Sequence, residues 1–176
     1  MHPDILMIPS EKLRQKALPV TKFDTDMLFT LSNSMLKCLD YYKAIGLACT
    51  QLGIPMRMIV FRAEAHRPFV MVNPTIEGGY SSNLQNFKEG CLSVPGYWDM
   101  IPRHPTIQVK YNDITGKDLI DVFYGYEASI IQHEIEHLDG ILFIDHLSSI
   151  KKDRAGKKVE HWKRRNNLKR KLNRNV

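Results

Sequence analysis

Gln132-His133-Glu134-Ile135-Glu136-His137-Leu138-Asp139-Gly140 is the segment on which the reading of this chain turns. An α-helix turns once every 3.6 residues, so side chains four apart lie one above the other. His133 and His137 can therefore offer two nitrogens to one cation. Glu134 lies on the adjoining face, where it reaches a nearby water without becoming a ligand. A cation that lowers the pKa of water to about 7, beside a carboxylate that shuttles its proton, is what a hydrolase needs. Ala128, Ile131, Ile135 and Leu138 supply the apolar side that would bury a helix from Tyr126 to about Leu138, with Gly140 just past its end. Two histidines exposed on an amphipathic helix would give the same spacing, and two ligands hold a cation weakly. The reading therefore depends on a third donor.

Zinc endopeptidases that extend this motif place a third His six residues beyond the second. Here Phe143 occupies that position and cannot bind a metal. A downstream carboxylate is the other solution, but the only Glu beyond Glu136 is Glu160, inside a basic segment. Cys91, in Glu89-Gly90-Cys91-Leu92-Ser93, is the better candidate, because a thiolate is a strong ligand for iron or zinc. Two His and one Cys leave a fourth position open for water, the mark of a catalytic rather than a structural site. Cys38 and Cys49 read as small core residues.

Working outward, Asp24 caps a helix running to about Tyr42, with Leu28, Leu31, Met35 and Leu39 on one face. Residues 1–23 read as extended or loop, and Ala44 to Gly53 as a small-residue loop. Arg57–Phe61 and Phe69–Val72 read as strands, the second ended by Asn73-Pro74, and Gly78-Gly79 as a turn. Phe87 to Pro102 carries few regular signals. Thr106–Tyr111 and Asp118–Tyr124 form a hairpin, and helix formers resume near Ser148. The expected fold is α+β: mostly antiparallel strands around a central metal-binding helix, with N-terminal and C-terminal helices.

The 176 residues, 43% hydrophobic and 25% charged, suit one soluble domain with a tail. No stretch approaches the roughly 20 apolar residues of a membrane span, and the N-terminus lacks the pattern of a secretory signal, so the expectation is a cytoplasmic protein without a membrane partner. Three cysteines at irregular spacing fit a reducing compartment. Residues 151–176 hold twelve of the 25 Lys/Arg and two of the 19 acids, a net of +10 against −4 for the rest. The division drawn is a catalytic domain over 1–148 and a basic, helical tail over 149–176. A non-enzymatic RNA-binding protein would explain that tail but leaves the His, Glu and Cys set idle.

Three segments together resemble the peptide deformylase family of bacterial type. Gly46-Leu47-Ala48-Cys49-Thr50-Gln51 is similar to its first motif, Glu89 to Ser93 to its second, and Gln132 to Gly140 to its third, in the same order and spacing. The resemblance runs from Ile5 to about Ser148. The chain departs from the family pattern at Ala44, where Gly is usual, at Cys49, where Ala is usual, and at Glu136, where Asp is usual. It implies that Cys91, His133 and His137 bind the metal and that Glu134 moves the proton. Gln51 and the Leu92 backbone N–H would stabilise the oxyanion. It implies Ile45, Gly46 and Arg103 along the peptide, and Phe87, Tyr126, Ser129 and Ile130 around a methionine side chain. Ferrous iron would be the native metal, with zinc, nickel or cobalt able to replace it. The expected substrates are formyl-methionyl nascent peptides, the tail would meet the ribosome, and the expected state is a monomer. The zinc endopeptidase and a deformylase-like protein without activity stand as alternatives.

Overall fold

A computed structural model describes residues 4–62, 68–78 and 83–172. Helix α1 spans Thr25–Tyr42 and is capped as its sequence dictates, the Asp24 carboxylate accepting from the Met27 N–H at 3.0 Å. Seven strands follow: β1 Gly46–Ala48, β2 Met58–Phe61, β3 Phe69–Gly78, β4 Gln85–Cys91, β5 Val94–Arg103, β6 Thr106–Asn112 and β7 Asp118–Tyr124. Helices α2, Gly125–Leu138, and α3, Ser149–Leu172, complete the order. Five strands form one antiparallel sheet in the order β1-β2-β3-β6-β7, and β4 pairs with β5 in a separate ribbon. The α+β architecture expected from the sequence is the one observed.

Strand alternation sorts the core. Ile59 and Phe61 join Met71, Ile107, Val109 and Phe123 on the face covered by Ala128, Ile131, Ile135 and Leu138 of α2. Met58 and Val60 point the other way, onto Leu28, Met35, Cys38 and Leu39 of α1. Burial on both faces explains why β2 reads as an unbroken apolar run. A third cluster joins Val94 and Ile101 of β5 to Phe143 and to Ala155 and Val159 of α3. The first turns of α3 are thus packed into the body, and Lys151 adds an ion pair to Asp99 at 2.8 Å.

Three expectations are corrected. The strand expected to stop at Asn73-Pro74 continues to Gly78 as β3. Asn73 takes a φ of 52° and the pairing with β6 shifts between Val72 and Thr75, so a bulge absorbs the missing proline N–H. Gly78 accordingly ends a strand, and Gly79 lies outside the described residues. The expected loop at Ala44 to Gly53 contains β1 and a short 3-10 turn over Cys49–Leu52. Phe87 to Pro102, which carries few regular signals, is nearly all of the β4–β5 ribbon, with Phe87 opposite Ile101 and Gly90 opposite Trp98. Gly140, at φ 76°, follows the end of α2 as expected.

Candidate metal centre

Burial is the first property of the site. Ten of the fourteen α2 residues are buried, among them His133, Glu134 and His137, so this helix crosses the middle of the molecule. Cys91 comes from the end of β4, where the pairing with β5 shifts register between Gly90 and Cys91. The Cys91 Sγ lies 3.1 Å from His137 Nε2, and the donor atoms of Cys91, His133 and His137 lie within 4.8 Å of one another. No other such cluster occurs among the described residues. His133 Nδ1 is 2.8 Å from the Glu89 carboxylate, which fixes the proton on Nδ1 and leaves Nε2 for a cation.

The residues present fit a cation. A soft sulfur and two imidazoles are a donor set for iron or zinc. The site is also incomplete as protein alone, because Glu134 Oε2 is buried without a hydrogen-bond partner among the described residues. Burial above all, with positive Arg103 adding to it, pushes the His137 imidazole below its ordinary range, which keeps a lone pair available. Burial also pushes the Glu134 carboxyl up to about 7, a lift that nearby Glu89 increases and His133 opposes.

Behind His133 stands a buried network. Arg103 donates to Glu89 through Nε at 2.7 Å and Nη2 at 3.0 Å, and to Glu136 through Nη1 at 2.5 Å. Ser129 Oγ donates to Glu89 at 3.2 Å, and His146 meets Glu136 at 2.8 Å. Burial would raise the Glu89 carboxyl, but His133 and Arg103 outweigh it and hold it at about 2. The same carboxylates hold the Arg103 guanidinium above its ordinary range against the opposing effect of burial.

On the other side lies a cleft of about 390 Å³. Ile45, Gly46, Gln51, Leu92, Tyr126, Ser129 and Ile130, all singled out from the sequence, line it together with Cys91, His133 and Glu134. The buried Gln51 amide reaches Cys91 Sγ at 3.4 Å and Ser93 Oγ at 3.2 Å, while its oxygen accepts from the Ala48 N–H at 2.9 Å. Ala44 also lines the cleft, and the left-handed backbone that Gly would favour falls on Lys43 instead, at φ 53°.

Two residues expected at the substrate are placed elsewhere. Arg103 does not line the cleft, because it is 3% exposed and its guanidinium is committed to Glu89 and Glu136. Phe87 sits on β4 two residues before Glu89 and is likewise outside the lining. Trp98, Tyr97, Lys88 and Trp162 line the cleft without having been singled out as binding residues. The sequence signal for Trp98 was an indole a few residues after the Cys91 motif; its pairing with Gly90 was the missing fact.

Phe143 shows why the endopeptidase reading fails. It is 1% exposed, its ring lies against the His133 ring with centroids 5.8 Å apart, and as a phenylalanine at that place in the sequence it offers no third donor. Fold and site together define a metal-dependent hydrolase, with a cysteine sulfur, one imidazole and a buried carboxylate lining the cleft and a second imidazole, His137, buried beside them.

Comparison with known proteins narrows the class. Residues 3–153 match the family model described as polypeptide deformylase. The peptide deformylase of Phenylobacterium zucineum is 40% identical over 161 residues, covering 89% of this chain and 94% of that protein. That of Brucella suis is 39% identical, covering 89% and 90%. The crystal structure of a peptide deformylase from Legionella pneumophila superposes with a TM-score of 0.87 at 37% identity, covering 93% of this chain and 96% of that one. The Thermotoga maritima peptide deformylase gives 0.80 at 34% identity, covering 84% and 99%. This chain belongs to the polypeptide deformylase family.

Proposed function

We propose that this protein removes the N-formyl group from formyl-methionine at the start of new polypeptides, releasing formate and a free amine. The observation that carries the reading is the convergence of Cys91, His133 and His137 beside a buried, unpartnered Glu134 oxygen on the cleft floor. These three residues would hold one divalent cation, whose contribution is Lewis acidity toward water and the formyl carbonyl. Ferrous iron is the proposed native ion, with zinc, nickel or cobalt as substitutes.

Glu134 takes a proton from the attacking water, and the water oxygen bonds to the formyl carbon. The oxygen of the tetrahedral intermediate accepts from the Gln51 amide and the Leu92 backbone N–H. Glu134 then passes its proton to the departing nitrogen as the C–N bond breaks. A carboxyl with a pKa of about 7 suits both transfers near neutral pH. Ile45 and Gly46 flank the peptide, and Tyr126, Ser129 and Ile130 surround the methionine side chain.

Two measurements test the assignments. Cys91→Ser is expected to lower the metal-to-protein ratio severalfold at matched metal supply, and undiminished occupancy would remove the thiolate from the ligand set. Gly46→Ala probes the approach of backbone to base, since a Cβ there would lie 2.4 Å from Glu134 Oε1. The carboxylate must move, and kcat for formate release is expected to fall about 10²-fold with metal content retained. An unchanged kcat would mean that the position of Glu134 is not critical.

The protein is proposed to act as a cytoplasmic monomer; among the described residues no helix is long and apolar enough to cross a membrane. In this reading residues 1–148 are the catalytic domain, and 149–176 add a basic surface for the ribosome. Lys157, Lys158, Arg164 and Arg165 of α3 are exposed and suited to RNA phosphates. Replacing all four by Gln is expected to weaken co-sedimentation with ribosomes at low salt while peptide turnover persists. Equal co-sedimentation of both proteins would refute the ribosome contact.

A further inference from the structure

The basic segment Trp162-Lys163-Arg164-Arg165 begins with an aromatic residue that neither the proposed chemistry nor phosphate binding uses. The structure places Trp162 in the lining of the catalytic cleft. Its position is anchored. Val159, three residues earlier on α3, is 1% exposed in the cluster shared with β5, and Lys163 Nζ donates to the Ile8 carbonyl at 2.7 Å. A Cβ built on Gly96 would lie 3.9 Å from Trp162 Cδ1, an ordinary contact distance, so the indole rests beside the β5 backbone.

A second indole lines the same cleft. Trp98 is 60% exposed, and its ring atoms lie 2.5 to 2.7 Å from where a Gly90 Cβ would stand. The ring therefore covers the backbone of the residue just before Cys91, a packing that only glycine permits. Exposed indole surface beside a reaction centre is apolar area that a ligand side chain would remove from water. The rim also carries Lys43 and Lys88, both exposed and neither in an ion pair among the described residues.

We propose that Trp162 and Trp98 form a substrate-reading site that grips an apolar or aromatic side chain downstream of the formylated methionine, while Lys43 and Lys88 disfavour a basic one. The substrate class is then formyl-peptides of three or more residues with a bulky apolar residue after the second. The inference rests on the deformylase activity proposed above, and it gives α3 a part in substrate selection.

The test uses the metal-loaded full chain and three peptides, formyl-Met-Ala, formyl-Met-Ala-Phe-Ala and formyl-Met-Ala-Lys-Ala. The wild type is expected to prefer the Phe peptide over both others in kcat/KM. Trp162→Ala and Trp98→Ala are each expected to reduce that preference about fivefold, the scale of one aromatic contact. The loss should lie in KM rather than kcat, and Trp162→Phe should recover most of it. Trp98, being largely exposed, keeps the test open if Trp162→Ala fails to fold. A preference unchanged in both variants, or an equal loss on all three peptides, would overturn the reading site while leaving the deformylase activity standing. Failure of the wild type to release formate from any of the three would overturn the activity, and the reading site with it.

Discussion

Glu134→Ala is expected to bind metal normally and to lose about 10³-fold in kcat, within the range that a positioned acid–base group contributes. The side chain is 4% exposed, and one of its oxygens has no partner among the described residues. Burial alone would make an ionised carboxylate costly, and here it lifts the carboxyl to about 7. A buried polar atom left unpaired requires an explanation, and an atom that accepts and returns a proton during turnover supplies one. The neighbouring backbone leaves it little room, because Gly46 presents no Cβ where one would lie 2.4 Å from Oε1. The variant removes the carboxylate and touches none of the three donor atoms, so formate release and metal content should separate. Near-normal turnover at full metal occupancy would strip Glu134 of its role and require another base in the cleft. Loss of metal together with activity would instead mean that Glu134 helps to hold the cation.

The motif helix was legible because its information is local. The spacing of His133 and His137 states both a helix and a shared face, and Asp24 announces the start of α1 in the same way. The β4–β5 ribbon was not legible, because its order comes from pairing. Glu89, read as part of the Cys91 motif, and Arg103, read along the peptide, show their pairing only when β4 and β5 are laid antiparallel, which brings both to the inner side behind His133. The pairing of Arg103 was hidden for the same reason: a lone arginine after a proline gives no hint of two carboxylates inside the molecule. Pro74 misled in the opposite direction, since a bulge can carry a strand through a proline when a neighbouring residue, here Asn73, takes the left-handed turn. Trp162 lies in a segment that the sequence marks only by its charge, and only the packing of α3 on β5 brings its indole to the cleft.

Arg103→Leu is expected to be the most destabilising substitution near the site, costing about 3–5 kcal/mol, the usual penalty for removing one partner of a buried ion pair. The guanidinium is 3% exposed and its three hydrogen bonds fix two carboxylates, Glu89 at 6% and Glu136 at 20% side-chain exposure. Without it Glu89 keeps His133 and Ser129 but loses its forked donor, and its charge stays in the interior. For a domain of this size the loss corresponds to a fall in Tm of roughly 10 °C. The metal centre should respond as well, because Glu89 orients His133, and losing an outer partner of a ligating histidine typically costs about 10–100-fold in metal affinity. Arg103→Lys should recover only part of either loss, since an ammonium cannot make the fork to Glu89 while reaching Glu136. The double variant Arg103→Leu with Glu89→Gln separates the two effects: it removes the stranded charge and should regain stability, yet it leaves metal affinity low because no carboxylate faces His133. Thermal melting of the metal-free proteins and competition with a chelator measure the two quantities independently. An Arg103→Leu protein that melts within 2 °C of the parent would show that Glu89 finds compensation elsewhere, and the network would then count as geometry without energetic weight.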